Sequence, residues 1–336
     1  MITGFLYSVT PYAIKNLDNR YYAEKIVRRG QKAFIDEIRK EAWRERPVVY
    51  IATYDGKHAY RKTEKEEFEA RYFNFTGNPK SERITQLAAD HVVINTKTDC
   101  KGDIIREVSA IEERENTTRI IGMIDHDVEI TSAKINGLLK IGEEHKLLLW
   151  QASMLEGEGL TVNWDHTARQ QNSRCREVPC IEGMMPFMTN RCLIDTSPGM
   201  RWNISSWGID NHAWSAWCKI IGIHPCVIDE ISVCNREETS SYKKVFRNSL
   251  TAEEEHVLAR NITREALETA LKSSKDPKKQ MAMFKEMLER SGRQDIDQLL
   301  ESYKPKQLCG KKSWATEKYI QLITKAYNKA GWRINP

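Results

Sequence analysis

The stretch Arg119-Ile-Ile-Gly-Met-Ile-Asp-His-Asp127 contains the clearest strand signal in this chain of 336 residues. Three isoleucines and a methionine in so short a run are typical of a buried strand. Val128–Thr131 follows directly and either continues this strand or returns as its hairpin partner. The sequence therefore predicts a buried strand that delivers two carboxylates, Asp125 and Asp127, at its end.

Strands and helices alternate on the N-terminal side of this stretch. Ile2–Thr10, Pro47–Tyr54 and Val92–Asn95 have the composition of strands. Helical patterns occur at Asn19–Arg46, at Thr63–Phe73 after a capping box formed by Thr63 and Glu66, at Glu82–Asp90 and at Asp103–Arg114. This alternation predicts an α/β or α+β protein with a layered, mixed-sheet unit over residues 1–155.

Two further parts follow this unit. Residues 156–234 are rich in loop-forming residues and contain five tryptophans, namely Trp164, Trp202, Trp207, Trp214 and Trp217. Residues 235–336 carry helix-start signals, among them the capping box formed by Thr251 and Glu254. We therefore expect a loop-rich Trp/Cys segment that packs on the first unit, and a helical, basic C-terminal third.

Composition limits the class of protein. With 40% hydrophobic and 29% charged residues, the chain has enough apolar material for a folded core. Its longest apolar runs fall well short of the ~20 residues of a membrane span, and Ile2–Ala13 lacks the features of a secretory signal. Eight cysteines are compatible with a reducing compartment. These observations predict a protein of the cytoplasm or nucleus, without a membrane partner, which could form a homo-oligomer.

Asp125 and Asp127 are the strongest candidates for chemistry. Alternate residues of an extended strand point the same way, so the pair could hold Mg²⁺ or Mn²⁺. Such a pair serves enzymes that transfer phosphoryl, nucleotidyl or glycosyl groups from nucleotides. The alternative is that Asp-His-Asp is only the polar turn of a hairpin, because Asp is a favoured turn residue.

A third carboxylate would complete a catalytic metal site. Asp55 follows the strand that ends at Tyr54, and Asp229 follows Cys226–Ile228. Either could lie beside Asp125 if these strands are neighbours in one sheet. For Asp55 the alternative is an Asp-Gly turn.

A group of cysteines and histidines suggests a second metal. Thiolate and imidazole ligands suit a structural zinc, which would order a loop-rich segment. No Cys-x₂-Cys pair is present, so the alternative is that these are buried free thiols. The candidate zinc ligands are Cys175, Cys180, Cys218, His224 and Cys226.

Positive charge is concentrated near the C-terminus, although the net charge is only +5. Residues 304–336 contain eight Lys or Arg and one acid, and such a surface could bind the phosphates of nucleic acid. A solvated amphipathic helix is the alternative. The candidate nucleic-acid ligands are Lys311, Lys312, Lys318, Lys325, Lys329, Arg333, Arg28 and Arg29.

These signals predict a nucleic-acid-associated protein with a metal-dependent phosphoryl-transfer site, hence a nuclease or nucleotidyltransferase. Asp125 and Asp127 would bind the metal, with Asp55 or Asp229 completing the site. One alternative is a non-enzymatic assembly or scaffold protein that contacts protein partners or nucleic acid through its basic helices. Another is a glycosyltransferase that uses the Asp125/Asp127 pair to bind a sugar nucleotide.

Overall fold

The computed structural model describes residues 29–157, 160, 162, 164–235 and 245–291. Its helices are α1 (Arg29–Ala42), α2 (Glu82–Asp90), α3 (Lys101–Glu115), α4 (Ser132–Glu144), α5 (Asn190–Thr196), α6 (Ser215–Ile221), α7 (Ala252–Ser273) and α8 (Pro277–Ser291). Its strands are β1 (Val48–Thr53), β2 (Tyr60–Arg61), β3 (Glu69–Asn74), β4 (Val92–Asn95), β5 (Ile120–Ile124), β6 (Val128–Thr131), β7 (Leu149–Met154), β8 (Cys175–Glu177), β9 (Phe187–Thr189) and β10 (Cys226–Asn235).

The strands form one mixed sheet in the order β2-β6-β10-β7-β9-β5-β1-β3-β4, and β8 pairs with β10. β1 lies between β3 and β5 and is parallel to both. From β1 the sheet extends through β3 to β4 on one side, whereas β5 lies on the other side. The order of the parallel strands therefore reverses between β1 and β5.

The central strands are covered on both faces. Every residue of β1, β5 and β7 is buried, which explains why β1 and β5 are nearly continuous apolar runs rather than alternating ones. Gly122 in β5 is needed for close packing, because a Cβ there would lie 2.7 Å from Cε1 of Phe187 in β9. The aromatic ring of one strand thus occupies the space above the glycine of its neighbour.

The predicted class of a mixed α/β protein with C-terminal helices is confirmed. The predicted helix Glu82–Asp90 and the predicted strand Val92–Asn95 form with those bounds, as α2 and β4. The segment predicted to be loop-rich contributes β8, β9 and most of β10 to the same sheet. Its strands β8 and β9 have three residues each, too few for a periodic pattern. The predicted strand Ile2–Thr10 lies outside the described residues, and the division at residues 155 and 234 stays a prediction.

The helix predicted after Thr63 is wrong, since residues 69–74 form β3. The two residues of the presumed capping box are engaged elsewhere. The backbone N–H of Thr63 donates to Ser132 Oγ at 2.8 Å, and the Glu66 carboxylate accepts from the Tyr60 hydroxyl at 2.6 Å. Tertiary contacts with α4 and β2 therefore replace the local cap.

The C-terminal helices begin as the sequence predicts. Thr251 and Glu254 form a reciprocal capping box at the start of α7, which satisfies two N–H groups that a helix start leaves unpaired. Trp214 and Trp217 are fully buried and belong to the hydrophobic core. None of the described helices combines the length and apolar character needed to cross a membrane.

Candidate functional site

Asp125, His126 and Asp127 form a tight turn directly after β5. The N–H of Val128 donates to the Asp125 carbonyl at 3.2 Å, and the N–H of Ala59 donates to the His126 carbonyl at 2.7 Å. The turn is real, but the hairpin is not, because β6 pairs with β2 and β10 instead of β5. Both side chains remain partly accessible. The turn thus presents two carboxylates at the edge of the sheet.

The two carboxylates of this turn interact with each other and with a lysine. Burial raises the pKa of Asp125, the charge of Asp127 raises it further, and Lys101 opposes both effects. Lys101 is the first residue of α3, and its ammonium contacts Asp125 Oδ1. The ionised form of this acidic pair therefore needs a positive charge nearby, and the Lys101 ammonium supplies one.

The donor set suits a divalent cation that shares its coordination with a substrate. Mg²⁺ and Mn²⁺ prefer oxygen ligands, and Mg²⁺ is commonly bound through one or two carboxylates together with substrate phosphates and waters. Within the described ranges, no third His, Cys, Asp or Glu joins Asp125 and Asp127 in a metal-binding group. Among the described acidic, histidine and cysteine side chains, these two can therefore be ligands together, and water, phosphate or carbonyl oxygens can supply the others.

A polar edge continues along the ends of the neighbouring parallel strands. Thr53, Asn74 and Asn95 end β1, β3 and β4. The Asn74 amide donates to Asn95 Oδ1 at 2.9 Å, and its oxygen accepts from the N–H of Asp55 at 3.2 Å. In open α/β sheets, ligands bind outside the carboxyl ends of the strands at the point where the strand order reverses. Here that point lies between the ends of β1 and β5.

A row of aromatic rings lies along this edge. The ring centroids of Tyr54 and Phe75 are 5.8 Å apart, and those of Phe75 and His126 are 5.2 Å apart. Tyr54 is 51% exposed, which is unusual for a tyrosine at the end of a buried central strand. The row thus leads from an open tyrosine to the turn that carries Asp125 and Asp127.

Asp55 and Asp229, the two candidates for a third carboxylate, lie in different surroundings. Asp55 lies at the same edge, but its carboxylate accepts a hydrogen bond from Thr76 Oγ1 at 2.5 Å. Asp229 is only 1% exposed within β10, where Arg176 Nε and the N–H of Gln170 each donate to it at 2.9 Å. Neither joins Asp125 and Asp127 in a group of potential metal ligands in the described part of the chain.

Asp210 is a candidate that the sequence reading missed. It belongs to the π-helix Ile209–Trp214, and π-helical turns occur frequently at functional sites. Burial raises the pKa of Asp210 to about 6, although backbone N–H groups of Asn211 and Gly183 donate to the carboxylate and oppose the shift. A carboxylate with a pKa near 6 is suited to accept a proton at neutral pH.

One short segment connects Asp210 with the turn after β5. The N–H of Gly183 donates to Asp210 Oδ2 at 3.1 Å, and the carbonyl of the next residue, Met184, accepts from the N–H of Asp125 at 3.0 Å. Since two residues span only about 7 Å, the Asp210 carboxylate and the backbone nitrogen of Asp125 lie within roughly 13 Å of each other. The one feature of the sequence that could have drawn attention to Asp210 is the turn-like composition Gly208-Ile-Asp-Asn211. Such a composition is common in loops and does not distinguish a functional residue.

A second cluster adjoins the π-helix. Trp207 is 37% exposed and lies between Ser206 and Gly208, which have φ angles of 73° and 87°. Such left-handed backbone is uncommon and costly for serine. The Nε2 atoms of His212 and His256 are 3.3 Å apart, and burial lowers the pKa of both imidazoles, to about 4 for His256. One neutral imidazole can therefore donate to the other and join α7 to the π-helix.

The zinc prediction is not supported. Zinc in a structural site needs four ligands in a tetrahedron, whereas the cysteines lie in separate places. Cys175 contacts Cys226, Cys180 Sγ lies 3.4 Å from His166 Nε2, and Cys218 is buried among apolar side chains. Nowhere in the described ranges do three or more possible ligands, including His224, converge. The alternative of buried free thiols fits better.

Most residues of the predicted nucleic-acid interface lie outside the described residues. This applies to Arg28 and to the C-terminal group Lys311, Lys312, Lys318, Lys325, Lys329 and Arg333. Arg29 is the first residue of α1, and only its backbone belongs to the described part.

Comparison with known proteins yields solved structures only. No family model and no curated protein sequence matches the chain. Residues 1–349 of S. aureus TarS in complex with UDP match with 10% identity and a TM-score of 0.44 over 85% of this chain and 80% of that one. GalNAc-T7 with UDP, GalNAc and Mn²⁺ matches with 10% identity and a TM-score of 0.45 over 77% of this chain and 57% of that one. TarS 1–349 without UDP in its description matches with 12% identity and a TM-score of 0.42. At such identities the likeness concerns the fold.

The prediction of nucleic acid as the partner is wrong, and with it the expectation of a nuclease or nucleotidyltransferase. Two of these three structures contain UDP, and none of them is described with nucleic acid. The physical reason for the error is that a basic segment attracts phosphates and anionic surfaces of every kind, so it cannot single out one polyanion. The assembly-protein alternative, the homo-oligomer and the intracellular location stay predictions.

Proposed function

We propose that the chain is a glycosyltransferase that takes its sugar from a nucleotide-sugar donor, with Mg²⁺ or Mn²⁺ bound by Asp125 and Asp127. The observation that carries this proposal is the position of the two carboxylates. They follow β5 at the point where the strand order reverses next to β1, which is the place where open α/β sheets bind nucleotides.

The aromatic row supports a nucleotide at this edge. Tyr54 presents an exposed ring at the end of β1, next to Phe75. A nucleobase can stack on such a ring, and stacking contributes roughly 1–3 kcal/mol per base. With the base on Tyr54, the phosphates would extend along the row past His126 toward the carboxylate pair.

The bound cation would neutralise the diphosphate and so stabilise it as a leaving group. Asp125 and Asp127 would hold the cation, and oxygen atoms of the donor phosphates would be further ligands. We therefore expect metal and nucleotide to bind cooperatively, because each supplies ligands or charge that the other needs.

Asp210 is suited to accept the proton of the acceptor hydroxyl. As the acceptor oxygen forms a bond to the anomeric carbon of the sugar, the bond from that carbon to the diphosphate oxygen breaks and its electron pair leaves with the diphosphate. The hydroxyl proton passes to the Asp210 carboxylate. The arrangement of one carboxylate pair for the leaving group and one separate buried carboxylate for the acceptor suits glycosyl transfer.

The first test is a calorimetric titration of UDP in the presence and absence of Mn²⁺. UDP is the probe because it is held by two of the similar structures. We expect Mn²⁺ to tighten UDP binding at least about tenfold in the wild type, a coupling of about 1.4 kcal/mol. Asp125→Asn should remove this coupling.

The matched control is Asp90→Asn, which neutralises an exposed carboxylate at the end of α2 and should leave the coupling unchanged. Release of UDP from a panel of UDP-sugars, measured with and without Mn²⁺, extends the test to the reaction. A wild type that binds neither UDP nor another nucleoside diphosphate with Mn²⁺ would contradict the proposed function.

A further inference from the structure

Lys101 competes for the same carboxylate that the proposed metal needs. Its ammonium contacts Asp125 Oδ1, and the side chains are 11% exposed for Lys101 and 26% for Asp125. The ion pair is therefore largely shielded from solvent, which makes it stronger than a pair on the surface. Asp127 lies close enough to interact electrostatically with Asp125, so the ammonium compensates an acidic pair.

A divalent cation and the ammonium cannot both remain in this position. A metal ion on Asp125 would lie about 2 Å from a carboxylate oxygen, and thus only a few ångströms from the ammonium. Repulsion between a single and a double positive charge at that distance is much greater than thermal energy, even in a partly solvated site. Binding of the metal therefore requires either that Lys101 moves or that a new anion neutralises it.

We propose that Lys101 is a displaceable counterion that holds Asp125 until the metal arrives with the nucleotide, and then moves onto the donor phosphates. This inference rests on the proposed function. The lysine side chain is a flexible four-carbon stem with three rotatable donors, and it binds phosphate as a point charge. Displacement onto phosphate makes the binding of metal and nucleotide interdependent, because the metal alone must displace Lys101 without any compensation.

The surroundings of Lys101 leave the end of its side chain able to move. The backbone of α3 is anchored next to it, since the N–H of Gly102 donates to the Ile204 carbonyl at 2.8 Å and a Cβ on Gly102 would lie 2.4 Å from the Asn203 carbonyl. Among the described residues, Asp125 is the one that the Lys101 ammonium contacts by a hydrogen bond and an ion pair. A fixed backbone with one exchangeable contact at the tip is what a displaceable counterion needs.

The test measures Mn²⁺ binding by electron paramagnetic resonance, with the full chain and without nucleotide. Lys101→Met keeps the length of the stem but removes the charge. We expect it to bind Mn²⁺ about threefold to tenfold more tightly than the wild type, because no ammonium has to leave. Lys101→Arg keeps a cation and should bind Mn²⁺ no more tightly than the wild type.

A second measurement follows the effect of UDP on the same binding. UDP should enhance Mn²⁺ affinity less in Lys101→Met than in the wild type, because the variant lacks the ammonium that contacts the phosphates. Lys272→Met, which removes a lysine that is 81% exposed on α7, is the control for a general loss of positive charge and should behave like the wild type.

The outcomes separate this inference from the proposed function. If Lys101→Met binds Mn²⁺ equally or more weakly, while Asp125→Asn abolishes Mn²⁺ binding, then Lys101 only orients Asp125 and the counterion role is overturned. If the wild type binds no Mn²⁺ with or without UDP, both proposals fail. Lys101→Arg keeps the inference testable should the methionine variant prove unstable in thermal unfolding.

Discussion

At the scale of single residues, the environment of each carboxylate decides what it can do. Asp229 is bonded to an arginine inside the sheet, and Asp55 is bonded to Thr76 in a turn. Asp125 faces an acid and a lysine at the sheet edge, whereas Asp210 is buried and bonded to backbone N–H groups. The four residues have the same chemical group, but their surroundings differ, and burial raises the pKa of Asp125 and Asp210.

Asp210 leads to a prediction on pH. Because its pKa is raised to about 6, the carboxylate is an effective proton acceptor only above that pH. We expect kcat/KM of the wild type to fall as pH drops below about 6, and Asp210→Asn to lower kcat by about 10²–10⁴-fold while the protein stays folded. A variant that retains wild-type turnover and the same pH limb would exclude Asp210 as the base.

The raised pKa of Asp210 also makes the stability of the protein depend on pH. A folded-state pKa above the ordinary value of 3.8 means that the native state holds the proton more tightly than the unfolded chain. The stabilising protonated form is therefore lost as pH rises through about 6. The free energy of unfolding of the wild type should therefore fall between pH 4 and pH 7 by on the order of 1 kcal/mol more than that of Asp210→Asn. The Asn side chain does not ionise, and its amide faces one of the two backbone N–H donors at both pH values. Urea unfolding at the two pH values measures this difference.

At the scale of elements, the close contact between β5 and β9 depends on a glycine. A Cβ on Gly122 would lie 2.7 Å from Phe187 Cε1, so a side chain there must displace the ring. We expect Gly122→Ala to reduce the free energy of unfolding by about 1–3 kcal/mol, which is typical of overpacking in a core. Urea unfolding with circular dichroism measures the loss.

A double-mutant cycle tests the cause of this loss. Phe187→Leu removes the ring atoms that the new methyl group would meet, so it should cost less in the Gly122→Ala background than in the wild type. Strictly additive losses would show that the contact between these two residues is not the origin of the destabilisation.

At the scale of the whole molecule, the C-terminal helix pair is joined to the loop that precedes Asp210. Glu255 in the first turn of α7 is fully buried and accepts hydrogen bonds from the N–H groups of Ile204 and Ser205 at 2.9 and 2.8 Å. Asn248 donates to the same carboxylate at 2.6 Å. One carboxylate thus joins the start of α7 to Asn248, 7 residues before it, and to Ile204 and Ser205, 51 and 50 residues before it.

This connection predicts that a substitution in α7 affects the candidate site. Glu255→Gln replaces an acceptor by a donor opposite other donors, so we expect a loss of about 1–3 kcal/mol in the free energy of unfolding. Faster amide hydrogen exchange in residues 203–214 and a lower rate of transfer should accompany it. Glu253→Gln changes an exposed acid in the same helical turn, which provides the control.

The control also separates two explanations. Both variants remove one negative charge near the start of α7, where charge interacts with the helix dipole. If both accelerate exchange in residues 203–214 equally, the dipole accounts for the effect and the buried hydrogen bonds do not.

Features that depend on nearby residues in the chain are the ones that could be predicted from the sequence alone. The apolar run before Asp125, the α2 and β4 bounds and the capping box of α7 all follow from local composition and spacing. These signals are local because helix caps and strand propensities act over a few residues. They were sufficient for the mixed α/β class and for Asp125 and Asp127 as the leading candidates.

Only the tertiary structure decided which strands are neighbours and which acids share an edge. The strand order reverses between β1 and β5, which are far apart in the chain. The contact of Lys101 with Asp125 joins residues 24 positions apart, and the hydrogen bond from Gly183 to Asp210 joins residues 27 positions apart. Strand pairing across such separations is selected by packing of the whole core, and a pattern that repeats every two or four residues carries no information about it. The same reason explains why the capping pattern at Thr63 failed, since contacts with α4 outweighed a local preference.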